Sequence, residues 1–304
     1  MSNYLLYTDS LTKRYKNHNV VNCVDIHIKK GDIYGLIGRN GAGKTTLLKM
    51  ISGLASPSEG QIYLFGKSGK GLCEVRNKVG SHIESPGLYP EMSAFKNLKC
   101  KCIQRNINSD SYIKDLLDLV GLGDTGNKKA GRFSLGMKQR LGIAMALVGN
   151  PELLVLDEPI NGLDPQGIKE IREILIKLNR ERGITIIISS HILDELARVA
   201  TDYGIIHNGE LLKEIAADDL MEQCREKIIV RTQNIGGAAD VLDKIKIEYS
   251  FVDDESIEIV GHTFESARIN SELVKAGCEI SEITVQADSL EDYYFKLTGG
   301  VHNA

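Results

Sequence analysis

The sequence contains no apolar run long enough to cross a lipid bilayer. Its longest runs, such as Ile184 to Ile188, are far shorter than the ~20 residues that a spanning helix needs. Met1 to Ser10 also lacks the basic start and apolar core of a signal peptide. A net charge of −4 provides no basic field that would attract nucleic acid or an anionic membrane surface. We therefore expect no nucleic-acid partner, and we expect any membrane contact to come through another protein.

Cysteine is sparse and follows no metal-site pattern. The six cysteines are scattered along the chain, and Cys100 and Cys102 form a C-x-C without a second ligand pair at zinc-site spacing. The cysteines therefore indicate reduced thiols rather than disulfides or a zinc site.

The first two thirds of the chain alternate short aliphatic runs with amphipathic stretches. Ile33 to Ile37, Leu153 to Leu156 and Thr185 to Ser189 have the composition of buried parallel strands with helices on both faces of the sheet. A Lys- and Asn-rich stretch with helical periodicity predicts a helical insert at about residues 90–135. We assign residues 1–216 to this α/β domain.

Residues 217–304 predict a second, smaller α+β domain. The predicted elements are a strand at Lys227 to Thr232, a helix at Ala238 to Ile247, strands at Tyr249 to Val252 and Ile257 to Val260, a helix at Phe264 to Ala276, and a strand at Ile280 to Gln286. This β-α-β-β-α-β order is that of a ferredoxin-like fold. A closing helix, Ser289 to Thr298, follows. The fold leaves open whether this domain binds a regulator, stabilises a dimer or only packs.

Gly38 to Thr45 reads Gly-Arg-Asn-Gly-Ala-Gly-Lys-Thr and fits the phosphate-binding pattern G-x-x-x-x-G-K-S/T. It follows the predicted strand Ile33 to Ile37 and precedes a helix with apolar periodicity, which is the context that the motif requires. The glycines let backbone N–H groups point at phosphate oxygens, and the helix N-terminus adds partial positive charge. Lys44 would reach the β- and γ-phosphates, and the Thr45 hydroxyl can bind Mg²⁺. The loop therefore predicts ATP and Mg²⁺ as ligands.

Two acidic residues follow the apolar run Leu153 to Leu156. Placing Asp157 and Glu158 at the end of a buried strand is costly unless a cation or ligand meets them. In an open α/β sheet this edge is also where ligands bind. We predict that Asp157 holds Mg²⁺ through water and that Glu158 is the general base for the attacking water. The alternative is that both acids simply open a surface loop.

Further motifs make the chain resemble the ATP-binding subunits of ABC transporters over about Leu5 to Gly209. Phe133 to Arg140 reads Phe-Ser-Leu-Gly-Met-Lys-Gln-Arg and resembles the ABC signature. Asn161 to Pro165 resembles the D-loop, and His191 resembles the switch histidine. Tyr15 stands where the family stacks an aromatic ring on adenine, although an ordinary packing role is the alternative.

The resemblance implies a P-loop NTPase fold, an ATPase activity and a head-to-tail dimer with two ATP molecules between the subunits. Glu158 and His191 would be catalytic, and Thr45 and Asp157 would be metal ligands. The implied nucleotide-binding residues are Tyr15, Gly38, Asn40, Gly41, Gly43, Lys44, Thr45, Thr46, Ser134, Gly136 and Asp164. We expect a homodimer that docks onto separate transmembrane permease subunits, at the cytoplasmic side of the cell membrane.

Two departures from the family pattern stand out. The usual signature is Leu-Ser-Gly-Gly-Gln, and here Leu135 replaces the first glycine and Met137 the glutamine. Ser134 and Gly136 are kept, so we expect that the dimer with ATP bound between its subunits can still form. The Q-loop segment lacks its glutamine, and Glu84 occupies that place. Because a carboxylate is a harder Mg²⁺ ligand than an amide, we predict that Glu84 binds Mg²⁺ directly or through water. The alternative is an exposed loop acid.

The Ile-Glu-Ser-Pro segment, the signature and the residues Ser289 to Phe295 together resemble one branch of the family. That branch comprises the ATP-binding subunits of bacitracin-resistance and lantibiotic-immunity exporters, which implies efflux of a peptide antibiotic or a similar amphipathic drug. This resemblance favours export over import, and no other residue decides between the two. A groove for a permease helix would lie within Val79 to Arg132, where Leu88, Tyr89 and Phe95 either contact the permease or form local core.

The sequence argues against two other function classes. A soluble ABC ATPase acting on ribosomes or nucleic acid usually carries two nucleotide domains or a long coiled coil, and this chain has one motif set and no heptad run. A nucleotide-dependent switch without turnover could lose Glu158 or His191, and both are present. A transport ATPase is therefore the favoured function.

Overall fold

The computed structural model describes residues 4–85, 87–287 and 289–299. The chain divides into two compact units, Met1–Ala217 and Asp218–Ala304. The division falls one residue after the domain boundary expected from the sequence.

The first unit combines two sheets with helices. Its elements in chain order are β1 (Tyr4–Tyr15), β2 (His18–Val24), β3 (His27–Lys29), β4 (Ile33–Ile37), α1 (Lys44–Ser52), β5 (Glu59–Leu64), α2 (Leu72–Val75), β6 (Val79–His82), α3 (Ala94–Gln104), α4 (Asp110–Leu119), α5 (Leu135–Ala146), β7 (Leu153–Asp157), α6 (Pro165–Arg182), β8 (Thr185–Ser190), α7 (Leu193–Leu196), β9 (Asp202–His207) and β10 (Glu210–Ala216). Short 3₁₀ turns lie at Gly69–Gly71, Arg76–Lys78, Gly123–Thr125 and Ala130–Arg132.

The larger sheet has the order β10-β9-β4-β8-β7-β6. Its strands are parallel apart from β10, which runs antiparallel to β9. Every residue of β4, β7 and β8 is buried, as the aliphatic run in each strand predicts. Ile37 pairs with Ser190 and Asp157 pairs with Ser189, so the carboxyl ends of three neighbouring strands meet at one edge. That edge is where open α/β sheets bind ligands.

A second, antiparallel sheet is built around β1, which pairs with β2, β3 and β5. The main apolar cluster joins both sheets through α1. Leu47, Leu48 and Ile51 of α1 are completely buried in it, together with Leu6 of β1 and Val155 of β7. Leu47, Leu48 and Ile51 recur at helical spacing and are all buried. Their packing therefore fixes α1 and the loop that precedes it.

The helical insert lies between β6 and β7. Serines begin its helices: Ser93 caps α3, Ser109 caps α4 and Ser134 caps α5, each accepting a hydrogen bond from a backbone N–H of the first turn. The helices α3 and α4 fall inside the stretch expected to be helical, and α5 starts at its end.

The elements of the second unit follow α8 (Ala217–Gln223), which spans the division. They are β11 (Glu226–Thr232), α9 (Ile235–Lys244), β12 (Ser250–Phe251), β13 (Ser256–Val260), α10 (Ser266–Lys275), β14 (Ile280–Ala287) and α11 (Leu290–Thr298), with a 3₁₀ turn at Thr263–Glu265. The sheet is antiparallel with the order β12-β13-β11-β14. Ile228, Ile257 and Ile259 of the sheet form its core with Leu242 of α9 and Leu273 of α10.

Candidate nucleotide site

The loop Gly38–Lys44 joins β4 to α1. A Cβ added to Gly38 would lie 2.6 Å from the Ile206 carbonyl oxygen, and one added to Gly43 would lie 2.6 Å from that of Val20. Gly41 and Gly43 have φ values of 85° and 106°, which side chains rarely adopt. The loop therefore needs glycine at these positions, while Asn40 between them is exposed.

The N-terminus of α1 can accept an anion. Gly43 is the cap residue, so no side chain covers the first backbone N–H groups, which include those of Lys44, Thr45 and Thr46. The first turn also contains no acidic residue that would oppose the helix dipole. The free N–H groups and the dipole together fit a phosphate group.

Lys44 is buried at the centre of the loop. Its Nζ donates hydrogen bonds to the Gly38 carbonyl at 2.5 Å and to the Arg39 carbonyl at 3.3 Å. It also lies 3.2 Å from Glu158 Oε1, as an ion pair without hydrogen-bond geometry. The lysine therefore links the loop to the acidic end of β7.

Thr45, Asp157 and Ser189 form a hydrogen-bonded row. The Thr45 hydroxyl donates to Asp157 Oδ2 at 2.8 Å, and the Ser189 hydroxyl donates to Asp157 Oδ1 at 2.7 Å. Ser189 also accepts a hydrogen bond from the Glu158 backbone N–H at 2.9 Å. A hydroxyl beside a buried carboxylate fits Mg²⁺, which prefers oxygen ligands and is commonly held by few protein groups plus substrate phosphates.

Glu158 and His191 are in direct contact. Glu158 Oε2 lies 2.8 Å from His191 Nδ1, and Glu158 Oε1 faces Lys44. The Glu158 backbone has a φ of 49°, in the left-handed region that non-glycine residues seldom occupy. The strained backbone turns the carboxylate at the end of β7 toward the loop and the histidine, which is common at functional sites.

Tyr15 lies at the tip of the hairpin that β1 and β2 form, opposite His18. Its ring is 50 % exposed, and Lys13 Nζ lies 5.0 Å from the ring centroid. Val20 of the same hairpin contacts the loop at Gly43. An exposed aromatic ring on this hairpin remains a candidate for adenine stacking.

Ser134, Gly136 and Asp164 form a separate group. The Ser134 hydroxyl accepts from Met137 N at 3.3 Å at the start of α5, and Asp164 Oδ1 accepts from Gly167 N at 3.0 Å at the start of α6. The signature and the D-loop are in contact, because a Cβ added to Gly136 would lie 3.7 Å from Leu163 Cδ2. The predicted site residues therefore fall into two sets, one around Lys44 and one around Ser134.

Glu84 belongs to neither set. Its side chain is 62 % exposed, and its carboxylate pairs with Lys49 Nζ at 2.6 Å. An ion pair of this exposure is worth less than about 1 kcal/mol, so it does not fix the side chain in place. The expected Mg²⁺ contact of Glu84 stays a prediction.

Sequence reasoning missed two polar contacts near the site. Ser189 holds both Asp157 and Glu158, and its place could have been found from the parallel register that sets it beside Asp157. His82 at the end of β6 is buried, and its Nε2 lies 2.6 Å from Gln139 Oε1 in α5. That contact joins distant segments, so no local pattern indicates it.

The chain is similar to known ATP-binding proteins of transporters. A family model described as ABC transporter matches residues 21–161. The bacitracin transport ATP-binding protein of Bacillus licheniformis is 43 % identical over 299 residues, covering 97 % of this chain and 98 % of that protein. The lantibiotic transport ATP-binding protein of Streptococcus pyogenes is 45 % identical over 210 residues, covering 69 % of this chain and 90 % of that protein.

The fold is also that of solved cassettes. A dimeric, post-hydrolysis structure of an ATP-binding cassette bound to ADP and Pi matches with a TM-score of 0.64 at 26 % identity. The match covers 70 % of this chain and 98 % of that chain.

Proposed function

The chain belongs to the ABC transporter family as an ATP-binding subunit, and from this premise we propose that its ATP hydrolysis drives export of a peptide antibiotic through separate permease subunits. The contact of Glu158 with both Lys44 and His191 is the observation that carries the catalytic part of the proposal. The transported class follows from the bacitracin and lantibiotic relatives.

ATP would bind with its phosphates at the N-terminus of α1. The backbone N–H groups of Lys44, Thr45 and Thr46 would donate hydrogen bonds to phosphate oxygens, and Lys44 Nζ would exchange its contact with the Gly38 carbonyl for the β- and γ-phosphates. Thr45 and Asp157 are the residues suited to hold Mg²⁺. When bound, Mg²⁺ neutralises charge on the β- and γ-phosphate oxygens.

Glu158 would orient and deprotonate the attacking water. Its carboxylate directly follows the buried strand β7, and its Oε1 lies 3.2 Å from Lys44 Nζ at the phosphate-binding loop, which is where a general base for the attacking water would stand. His191 holds the opposite carboxylate oxygen and would reach the γ-phosphate once the nucleotide is in place. Ser189 keeps the Glu158 backbone in position through its hydrogen bond to the Glu158 N–H.

The second set of residues would complete the site of a partner subunit. Ser134 and Asp164 lie at the starts of α5 and α6, and neither helix has an acidic residue in its first turn. The N-terminus of α5, capped by the neutral Ser134 hydroxyl, can therefore favour the phosphates of a nucleotide held by another copy, whereas the Asp164 carboxylate already caps α6. We propose a head-to-tail homodimer with two ATP molecules, in which binding closes the dimer and hydrolysis reopens it.

The permease would dock on the helical insert, at the cytoplasmic face of the membrane. In the part of the chain that the structure describes, none of the helices combines the length and apolar character of a membrane span. Buried Asn97 holds the loop before α3 by accepting from Tyr89 N at 2.7 Å and donating to the Tyr89 carbonyl at 3.1 Å. Tyr89 itself is 49 % exposed, so a fixed loop presents an aromatic ring to a partner helix.

The test is antibiotic tolerance of the native host after deletion of the chain. Complementation compares the wild type with Lys44→Ala and with Lys177→Ala, a control at an exposed lysine of α6. The wild type and Lys177→Ala should restore tolerance to bacitracin or a lantibiotic, and Lys44→Ala should not. Full restoration by Lys44→Ala, or a deletion that leaves both tolerances unchanged, would contradict the proposal.

A further inference from the structure

Leu135 is an unusual residue for its position. It occupies the place of the first glycine of the usual ABC signature and begins α5. Its side chain is 47 % exposed, beside Ser134, which is expected to face a partner's nucleotide. A large apolar side chain at such a place needs a physical reason.

The Leu135 side chain lies against the D-loop of its own chain. A Cβ added to Gly162 would lie 3.2 Å from Leu135 Cδ2, so the methyl group touches the bare backbone of that glycine. In the reverse direction, Leu163 Cδ2 lies over Gly136. The signature and the D-loop therefore each pack a leucine side chain against a glycine of the other segment. Gly162 has a φ of 74°, which adds a second reason for glycine there.

A polar link joins the same two helices further along. Arg140 of α5 pairs with Glu170 of α6 at 3.5 Å, and Gln166 donates to Glu170 Oε1 at 3.1 Å. Arg140 also donates to the carbonyls of Val120 and Gly121, both at 3.2 Å, which ties it to the end of α4. The apolar contact at the loop ends and the ion pair in the helices therefore hold α5 and α6 together.

We propose that Leu135 is a positioning residue that fixes the D-loop of its own chain, so that Ser134 and Asp164 are presented to a partner as one surface. The inference rests on the proposed function, because this surface matters only if it faces a nucleotide. With glycine at position 135 the apolar contact with Gly162 would be absent. Only the hydrogen bonds of its own turn would then hold the D-loop in place. That turn is held by two long hydrogen bonds, Asn161 N to Glu158 O at 3.2 Å and Leu163 N to Ile160 O at 3.3 Å.

Hydrogen–deuterium exchange of the full chain tests the contact without relying on activity. The variants are Leu135→Ala, the conservative Leu135→Met, and Leu54→Ala as a control at an exposed leucine after α1. In Leu135→Ala the amides of Asn161 and Leu163 should exchange roughly fivefold faster, as expected for a weakly held loop that loses an apolar contact. Leu135→Met and Leu54→Ala should exchange like the wild type. Equal D-loop exchange in Leu135→Ala and Leu54→Ala would overturn the proposal.

A double-mutant cycle on ATP turnover gives an independent readout. Gly162→Ala adds a Cβ that meets Leu135 Cδ2, and its backbone strain is the same whether or not Leu135 is present. Turnover lost in Gly162→Ala should therefore recover partly in the Leu135→Ala/Gly162→Ala double variant, and additive losses would count against the contact. If Lys44→Ala hydrolyses ATP as the wild type does, the proposed function fails, whereas the exchange experiment still decides the role of Leu135.

Discussion

At the scale of single residues, Ser189 determines how two acidic side chains share the end of one strand. Its hydroxyl donates to Asp157 and accepts from the Glu158 backbone N–H, and Ser189 and Asp157 are both buried. Removing the Ser189 hydroxyl leaves Asp157 Oδ1 without that donor, and a buried group that loses its hydrogen-bond partner costs about 1–3 kcal/mol.

We therefore predict that Ser189→Ala lowers both stability and activity. The free energy of unfolding should fall by about 1–3 kcal/mol, and ATP turnover should fall about tenfold, which a barrier increase of about 1.4 kcal/mol produces. Urea denaturation and a steady-state ATPase assay measure the two effects. Ser81→Ala, at an exposed serine of β6, is the control. Equal behaviour of the two variants would exclude a role for Ser189.

The grouping of Lys44, Thr45, Asp157 and Glu158 at one place was predictable from the sequence, because these residues lie in short continuous motifs. Lys44, Thr45, Asp157 and Glu158 follow strands whose uniform apolar character identifies them. Side-chain direction was less accessible. The Mg²⁺ contact of Glu84 stays a prediction, and the sequence did not indicate that the Glu84 carboxylate pairs with Lys49, a residue 35 positions away. Such a contact depends on how β6 and α1 pack.

At the scale of elements, α5 is joined to β6 by one buried hydrogen bond. His82 Nε2 lies 2.6 Å from Gln139 Oε1, which assigns the proton of the neutral ring to Nε2. Burial lowers the pKa of His82 from its usual value, although the hydrogen bond to Gln139 and the charge of Asp157 both act to raise it. A Cβ on Gly142 would lie 2.9 Å from the ring, so the helix approaches closely.

This contact predicts a pH dependence of stability. Because the folded pKa of His82 is lower than the unfolded value of about 6.5, the unfolded chain binds the proton first as the pH falls. The stabilisation is complete above about pH 6.5 and declines below it. The difference in unfolding free energy between the wild type and His82→Gln should therefore shrink from pH 7.5 to pH 5.5, as measured by urea denaturation. His18→Gln, at an exposed histidine of β2, is the control. A constant difference for His82→Gln would contradict the assignment.

The elements themselves were predicted unevenly. β4, β7 and β8 were found because each contains a run of aliphatic residues, which is typical of buried parallel strands. In the second unit, α9 begins at Ile235 instead of Ala238, because the Asn234 side chain caps the helix through Gly237 N. The predicted strand Tyr249 to Val252 contracts to Ser250–Phe251. Helix caps and the pairing of short edge strands depend on tertiary contacts, so boundaries were less predictable than element order.

At the scale of the whole molecule, the proposed account requires two copies to close on ATP. Glu158→Gln keeps the shape of the side chain and removes the general base, so ATP should bind and persist. We predict that turnover falls by roughly 10²-fold or more, and that Mg²⁺ and ATP convert the variant to a dimer in size-exclusion chromatography. Glu173→Gln, at an exposed acid of α6, should retain wild-type turnover. A Glu158→Gln variant that stays monomeric with saturating ATP would contradict the proposed head-to-tail dimer.

We propose that this chain powers transport through separate permease subunits. The most direct measurement is affinity purification of the tagged chain from detergent-solubilised membranes of its native host, with the bound proteins identified by mass spectrometry. The account predicts recovery of a polytopic membrane protein in an amount comparable to that of the tagged chain. Recovery of ribosomes, nucleic acid or no partner would leave the ATPase chemistry in place and would contradict the transport function.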